Sequence, residues 1–251
     1  MSAVHGTTVD IATRDGTADA YLVRPEGSGP FPAVLLYMDA FGVRPHLKKM
    51  ADRLASAGYC VLAPNVFYRH GPAPVIQLPD FVDPVTRPEL FQRLGPLIRS
   101  LTPEAAMQDA DAYLYWLAEC PTPKGGPVGV TGYCMGAGLA LRTAGAHPDR
   151  VAAAAGFHGA NLASTAPDSP HLLADRIEAE LYFGHADQDR ALPPEQVERL
   201  NAALASAGVR HRCEVYADAH HGFTQADTAA YDPAAAERHW VALLDLFART
   251  L

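Results

Sequence analysis

A single cysteine lies between two glycines in the segment Gly132-Tyr133-Cys134-Met135-Gly136. The residues before it, 127–131, form a short apolar run typical of a strand, and residues 135–146 have the composition of a buried helix. A nucleophile on a sharp strand-to-helix turn is the arrangement of the nucleophile elbow, written here G-x-C-x-G. The pattern predicts that the thiol of Cys134 attacks a carbonyl carbon and that the backbone N–H of Met135 stabilises the oxyanion.

A cysteine nucleophile needs a base that keeps it ionised, and that base needs an orienting carboxylate. Two segments after Cys134 end in suitable side chains: Asp189 follows an apolar run at 181–183, and His221 follows one at 212–216. Functional sites in α/β sheets assemble at the carboxyl ends of the strands. We therefore predict a catalytic triad of Cys134, His221 and Asp189.

Apolar runs alternate with amphipathic stretches along the whole chain, which predicts an α/β doubly wound fold after an opening β-hairpin. The predicted strands are 7–13, 18–24, 33–37, 59–63, 127–131, 151–157, 181–183 and 212–216, and the predicted helices are 45–57, 103–119, 135–146, 194–207 and 233–249. Neither an internal repeat nor a second core is evident, so we expect one domain over 1–251.

The stretch 66–102 interrupts this alternation and contains several prolines, among them Pro72, Pro74, Pro79 and Pro84. Long irregular segments within a compact domain are more often functional covers than linkers. We interpret 66–102 as a loop with short helical pieces over the active site.

Composition excludes several classes of function. The net charge is −8, the sequence pI is about 5.7 and no basic run occurs, which argues against nucleic-acid binding. No apolar stretch is long enough to cross a bilayer, and residues 1–15 lack the pattern of a secretory signal. The four cysteines form no C-x-x-C pair, so neither a zinc site nor a thioredoxin-like motif is indicated. We expect a cytoplasmic protein, monomeric or a small homo-oligomer, that uses no metal or organic cofactor.

Four segments in this order resemble the dienelactone hydrolase family: Asp-Ala-Phe-Gly-Val at 39–43, Gly-Tyr-Cys-Met-Gly at 132–136, Asp-Arg-Ala-Leu-Pro at 189–193 and His-Gly-Phe at 221–223. The resemblance extends from about Pro32 to the C-terminus. It implies an α/β-hydrolase fold, with a mostly parallel central sheet and helices on both faces. It also implies cysteine-dependent hydrolysis of a small lactone or carboxylic ester through a thioester acyl-enzyme.

The resemblance assigns further roles. Cys134 is the nucleophile, His221 the base and Asp189 its orienting acid. Asp39 stands where the family carries a glutamate that holds the resting thiol and helps to ionise it when substrate arrives. The backbone N–H of Ala40 is then the second oxyanion donor beside Met135.

The substrate-binding residues differ from the family pattern at one position. Gln225 stands where the family's dienelactone enzymes carry an arginine that binds the substrate carboxylate, which argues against dienelactone itself as the substrate. A second carboxylate-binding arginine comes from the cover in those enzymes, and the candidates here are Arg69, Arg87, Arg93 and Arg99. The residues predicted to contact substrate are Phe41, Tyr133, His158 and Gln225.

Alternatives remain open at this point. Asp187 competes with Asp189 for the acid role, His220 is interpreted as a solvated neighbour of His221, and His158 has a structural interpretation beside the pocket one. The whole chain could also be a non-catalytic ligand-binding or regulatory protein on a hydrolase scaffold. A third hypothesis makes Cys134 a redox-responsive thiol.

Overall fold

The structure is a computed structural model and describes residues 3–120 and 125–251. In these ranges the strands are β1 (Val4–Thr13), β2 (Gly16–Pro25), β3 (Ala33–Tyr37), β4 (Cys60–Pro64), β5 (Val128–Tyr133), β6 (Val151–Phe157), β7 (Glu180–Gln188) and β8 (His211–His220). The helices are α1 (Pro45–Ser56), α2 (Arg87–Ser100), α3 (Pro103–Glu119), α4 (Met135–Ala146), α5 (Pro194–Ser206) and α6 (Pro233–Thr250), with 3₁₀ turns at Tyr68–His70 and Pro170–Arg176. None of the described helices combines the length and the apolar character that a membrane span requires.

The chain divides into two compact units. The prediction of a single domain over 1–251 stays a prediction, and it includes Met1, Ser2 and residues 121–124, which lie outside the described residues.

The first unit runs to Val128 and also includes Asp227–Ala229. Its strands lie in the order β1-β2-β4-β3. As predicted, β1 and β2 form a hairpin, antiparallel with Thr13 opposite Gly16. β2 then pairs antiparallel with β4, and β4 pairs parallel with β3. Every residue of β3 and β4 is buried, which explains why both were recognisable as continuous apolar runs.

The stretch 66–102 is more helical than expected, since α2 is a helix of 14 residues. The 3₁₀ turn before it is tied down by Arg69, which pairs with Asp109 of α3 at 2.7 Å and with Asp15 of the hairpin at 2.7 Å. Between the 3₁₀ turn and α2, Val82 forms an isolated β-bridge with Thr228. Ion pairs and backbone bonds thus hold the start of the segment, and α2 is held by three leucines that are buried at helical spacing, Leu90, Leu94 and Leu97.

The second unit comprises Gly129–Ala226 and Ala230–Leu251. Its strands lie in the order β5-β6-β7-β8, and β6, β7 and β8 are parallel. β6 and helix α4 have the predicted bounds, as does α3 of the first unit, whereas β7 and β8 are longer than predicted. Their ladder continues through polar residues as far as the pair Gln188 and His220, with an irregularity after Ala186. Backbone pairing extends these strands beyond the apolar pattern, and it brings both strand ends next to the predicted site residues.

Candidate active site

The turn between β5 and α4 places Cys134 in a strained backbone conformation, with φ 55° and ψ −117°. Few residues other than glycine adopt this region, and strain of this kind is concentrated at functional sites. The turn is so tight that a Cβ on Gly132 would lie 2.0 Å from the carbonyl oxygen of Gly136, so this position requires glycine. The Cys134 N–H donates to the Phe157 carbonyl at 3.1 Å, which ties the turn to the end of β6. The thiol is therefore held at the N-terminus of α4, where the helix dipole favours a negative charge.

The structure brings Cys134, His221 and Asp189 together within the second unit. Asp189 directly follows β7 and His221 directly follows β8. The His221 Nδ1 lies 2.7 Å from Asp189 Oδ2, and the His221 ring is also hydrogen-bonded to the side chain of Cys134. The competing acid, Asp187, instead accepts the Asp218 N–H at 3.2 Å.

The charge on His221 follows from these contacts. Burial opposes a positive charge there, but the negative charge of Cys134 and the hydrogen bonds to Asp189 and Cys134 outweigh it. Together they raise the pKa of His221 to about 10. An imidazole in this environment is protonated at neutral pH, and its positive charge stabilises a thiolate.

A buried histidine, His158, lies beside His221. The ring centroids of the two histidines are 5.2 Å apart, with an interplanar angle of 68°. His158 also packs edge-on against Phe223 and places Nε2 2.8 Å from the hydroxyl of Thr224. It is 0% exposed, so it contacts the segment that carries His221 rather than solvent.

Asp39 lies in the first unit, in the turn that follows β3. Its Oδ1 accepts the Phe41 N–H at 2.8 Å and Arg44 Nη1 at 2.8 Å. Arg44 is 5% exposed and also binds Asp227 through two nitrogens, at 2.5 and 3.1 Å. Asp227 is partly buried, which raises its pKa, but Arg44 overcomes this effect and holds the pKa below its usual value. Asp39 is therefore part of a buried carboxylate–guanidinium–carboxylate cluster.

The other predicted site residues occupy varied environments. Met135 is the first residue of α4, and Ala40 is buried next to Asp39. Tyr133 is 1% exposed, and its hydroxyl lies 3.2 Å from His239 Nε2. Gln225 is buried, and its N–H donates to the Gly222 carbonyl at 2.8 Å. The assignments of these residues to oxyanion or substrate binding stay predictions.

Phe41 connects the turn after β3 to the stretch 66–102, because its ring meets Phe91 of α2 edge-on at 5.7 Å. Of the candidate arginines in that stretch, Arg69 is engaged by Asp15 and Asp109, and Arg87 lies over the Phe91 ring at 5.6 Å. Arg93 and Arg99 are exposed on α2.

The sequence analysis did not identify two residues that contact predicted site residues, Arg44 and Thr224. Arg44 lies five positions after Asp39, and this short separation was the only feature of the sequence that could have indicated their contact. Thr224 directly follows the His-Gly-Phe segment, but its partner His158 lies 66 positions earlier in the chain. Within residues 3–120 and 125–251, no group of three or more His, Cys, Asp or Glu side chains is placed to hold a metal ion.

Comparisons with known proteins identify the family of the chain. The model of the dienelactone hydrolase family matches residues 18–251. A carboxymethylenebutenolidase of Rhodococcus opacus is 30% identical over 235 residues, which cover 92% of this chain and 86% of that protein.

Solved structures extend the comparison to the fold. The crystal structure of a putative dienelactone hydrolase from Klebsiella pneumoniae subsp. pneumoniae is 25% identical in sequence, with a TM-score of 0.86, and the match covers 99% of this chain and 100% of that one. An acylaminoacyl peptidase of Pyrococcus horikoshii, 14% identical with a TM-score of 0.72, matches all of this chain with 42% of its own and shares the fold alone. The predicted α/β-hydrolase fold, with its mostly parallel sheet and flanking helices, is confirmed. The chain belongs to the dienelactone hydrolase family and is an ester or lactone hydrolase.

Proposed function

We propose that this protein hydrolyses a small lactone or carboxylic ester with Cys134 as nucleophile, through a thioester acyl-enzyme. The proposal rests on one observation: His221 contacts both Cys134 and Asp189, and Cys134 lies on a strained turn at the N-terminus of α4.

The first half-reaction acylates the cysteine. The thiolate of Cys134 attacks the carbonyl carbon, a C–S bond forms, and the N–H of Met135 donates to the oxyanion; one such donor is typically worth ~10²–10³-fold in rate. When the tetrahedral species collapses, the C–O bond to the leaving alcohol breaks and the imidazolium of His221 gives that oxygen its proton. The products of this step are a thioester, a neutral imidazole and the alcohol, which leaves as a separate molecule from an ester and stays as a hydroxyl on the acyl group from a lactone.

The second half-reaction releases the acid. Once the sulfur is acylated it carries no charge, so the largest cause of the raised pKa of His221 disappears and the imidazole becomes a base. It takes a proton from water as the water oxygen attacks the thioester carbonyl. Collapse then breaks the C–S bond, releases the carboxylic acid and restores the thiolate and imidazolium.

The remaining sequence assignments belong to the proposal as predictions: Asp39 as an aid to thiol ionisation, Ala40 as a second oxyanion donor, and 66–102 as the cover. The packing of Phe41 against Phe91 supports a role for that stretch beside the turn after β3. The four cysteines are free, which fits the predicted cytoplasmic location. We propose a substrate without a carboxylate group, because Gln225 replaces the arginine expected for one.

The test is mass spectrometry of the acyl-enzyme together with turnover of an activated ester such as 4-nitrophenyl acetate. Cys134→Ala should abolish turnover, and the wild-type protein quenched in acid should carry one acetyl group on Cys134. Cys213→Ala, which removes another cysteine of the same unit, is the matched control and should retain full turnover. If Cys134→Ala retains turnover, or if no acyl-enzyme forms with any ester or lactone of a broad panel, the proposal of a cysteine nucleophile fails.

A further inference from the structure

We propose that His158 is a positioning residue that keeps His221 within proton-transfer reach of Cys134. It would act on the base loop, which we define as residues His221–Thr224. The inference rests on the proposed function, because it assigns a role to a histidine that the hydrolytic steps do not use.

The backbone of His158 is fixed to the same strand end that holds the nucleophile. His158 follows β6 directly, with φ at 38°, and its N–H donates to the Gly184 carbonyl at 2.8 Å. The residue before it, Phe157, accepts the N–H of Cys134. These backbone hydrogen bonds therefore fix the position of the His158 backbone relative to that of Cys134.

From that point His158 makes three contacts with the base loop. Its ring meets the ring of His221 at 5.2 Å and that of Phe223 at 5.1 Å, both edge-to-face, and its Nε2 lies 2.8 Å from Thr224 Oγ1. The His158 ring also lies 6.0 Å from the ring of Tyr133, the neighbour of Cys134. His158 thus contacts both the residue before the nucleophile and the loop that carries the base.

These contacts restrict motions that Asp189 alone leaves open. The hydrogen bond that His221 Nδ1–H donates to Asp189 orients the imidazole, but the ring can still tilt about that bond and the loop can still shift. The His158 ring limits the tilt, and the Thr224 hydroxyl limits the shift. Displacement of a reacting group by about 1 Å costs roughly 100-fold in rate, so such restraint has a measurable effect.

The experiment compares four single variants and the double variant His158→Phe/Thr224→Val. Thr224→Val removes the hydroxyl at nearly constant shape, Thr224→Ser restores it, and His158→Phe keeps a ring but removes the nitrogen. Thr250→Val is the matched control, because it removes a threonine hydroxyl that donates to the Leu246 carbonyl near the end of α6. For each variant we would measure kcat, KM, the melting temperature and the rate of Cys134 alkylation by iodoacetamide between pH 5 and 10.

We expect Thr224→Val and His158→Phe each to lower kcat by about 10- to 100-fold with KM changed less than about threefold, because the base is displaced while the substrate pocket is kept. Alkylation near neutral pH should slow in both, because a displaced imidazolium stabilises the thiolate less. Thr224→Ser should recover most of kcat. The double variant should be no slower than His158→Phe, because both substitutions delete the same hydrogen bond.

The inference is overturned if Thr224→Val and His158→Phe lower only the melting temperature, as Thr250→Val could, while kcat and the alkylation profile match the wild type. Additive losses in the double variant would also overturn it. Failure of the proposed function is a separate result: a wild-type protein that turns over no ester still reports His158 positioning through the alkylation profiles.

Discussion

The imidazole of His221 is hydrogen-bonded to the carboxylate of Asp189 through Nδ1 and also to the side chain of Cys134. Its proton is held by the charge of Cys134 more than by Asp189, since the interaction with Cys134 is the larger of the influences that raise its pKa. In the proposed mechanism, a protonation state that depends on Cys134 can change during the reaction. Acid and base behaviour then require no second titrating group at this site.

Removing the sulfur should therefore change the titration of His221. In Cys134→Ala we expect the pKa of His221 to fall from about 10, because burial still opposes its charge and only Asp189 remains to favour it. The sign is that of a cation losing its anionic partner: the imidazole releases its proton at lower pH. NMR titration of the histidine ring resonances measures the shift.

The matched control is Cys213→Ala, in β8, which should leave the His221 titration unchanged. A His221 that titrates at the same pH with and without the Cys134 sulfur would contradict the assignment of a thiolate–imidazolium pair.

At the scale of secondary structure, the crossing of β5 and α4 leaves no room for a side chain at Gly132. A Cβ added at Gly132 would meet the backbone of Gly136, and backbone atoms cannot move aside as a flexible side chain can. Gly138 lies one turn along α4 from the elbow, and a Cβ added there would have its nearest neighbours outside the helix backbone at 3.8 and 3.9 Å, which is ordinary contact.

We expect Gly132→Ala to lower the free energy of unfolding by about 3 kcal/mol or more, at the upper end of overpacking costs, or to prevent folding. Gly138→Ala should instead be neutral or stabilising by about 0.5–1 kcal/mol, because alanine loses less backbone entropy in a helix than glycine does. Urea denaturation of the two variants measures both effects. Equal stability of the two alanine variants would show that the elbow is looser than the structure indicates.

At the scale of the whole molecule, the net charge of −8 repels anions from the surface. Electrostatic influence on substrate encounter falls with ionic strength, because the Debye length shortens from about 30 Å at 0.01 M to about 8 Å at 0.15 M salt.

We therefore expect kcat/KM for a carboxylate-bearing ester to rise roughly twofold or more over that range of salt, while that for a neutral ester of the same size stays constant. Initial rates at low substrate concentration measure both. A fall of kcat/KM with salt for the anionic ester would indicate a local cationic binding site and contradict the proposed neutral substrate.

The sequence predicted the features that depend on neighbouring residues better than those that depend on contacts between residues far apart in the chain. The elbow and the buried strands β3 and β6 were recognisable because their signals are local: glycines at a turn and uninterrupted apolar runs. The outer parts of β7 and β8 were missed because backbone pairing, not side-chain pattern, sustains them. The Arg44–Asp227 pair joins residues 183 positions apart, and no local pattern announces such a contact.

The elbow has a further consequence. Its shape comes from backbone atoms of Gly132, Gly136 and Phe157, none of which depends on what the Cys134 side chain is made of. Scaffold and reactivity are thus separable, and an oxygen could replace the sulfur without rebuilding the strand or the helix. Lineages that share this architecture can exchange one reacting atom for another and retune the neighbouring imidazole, while the surrounding framework stays as it is.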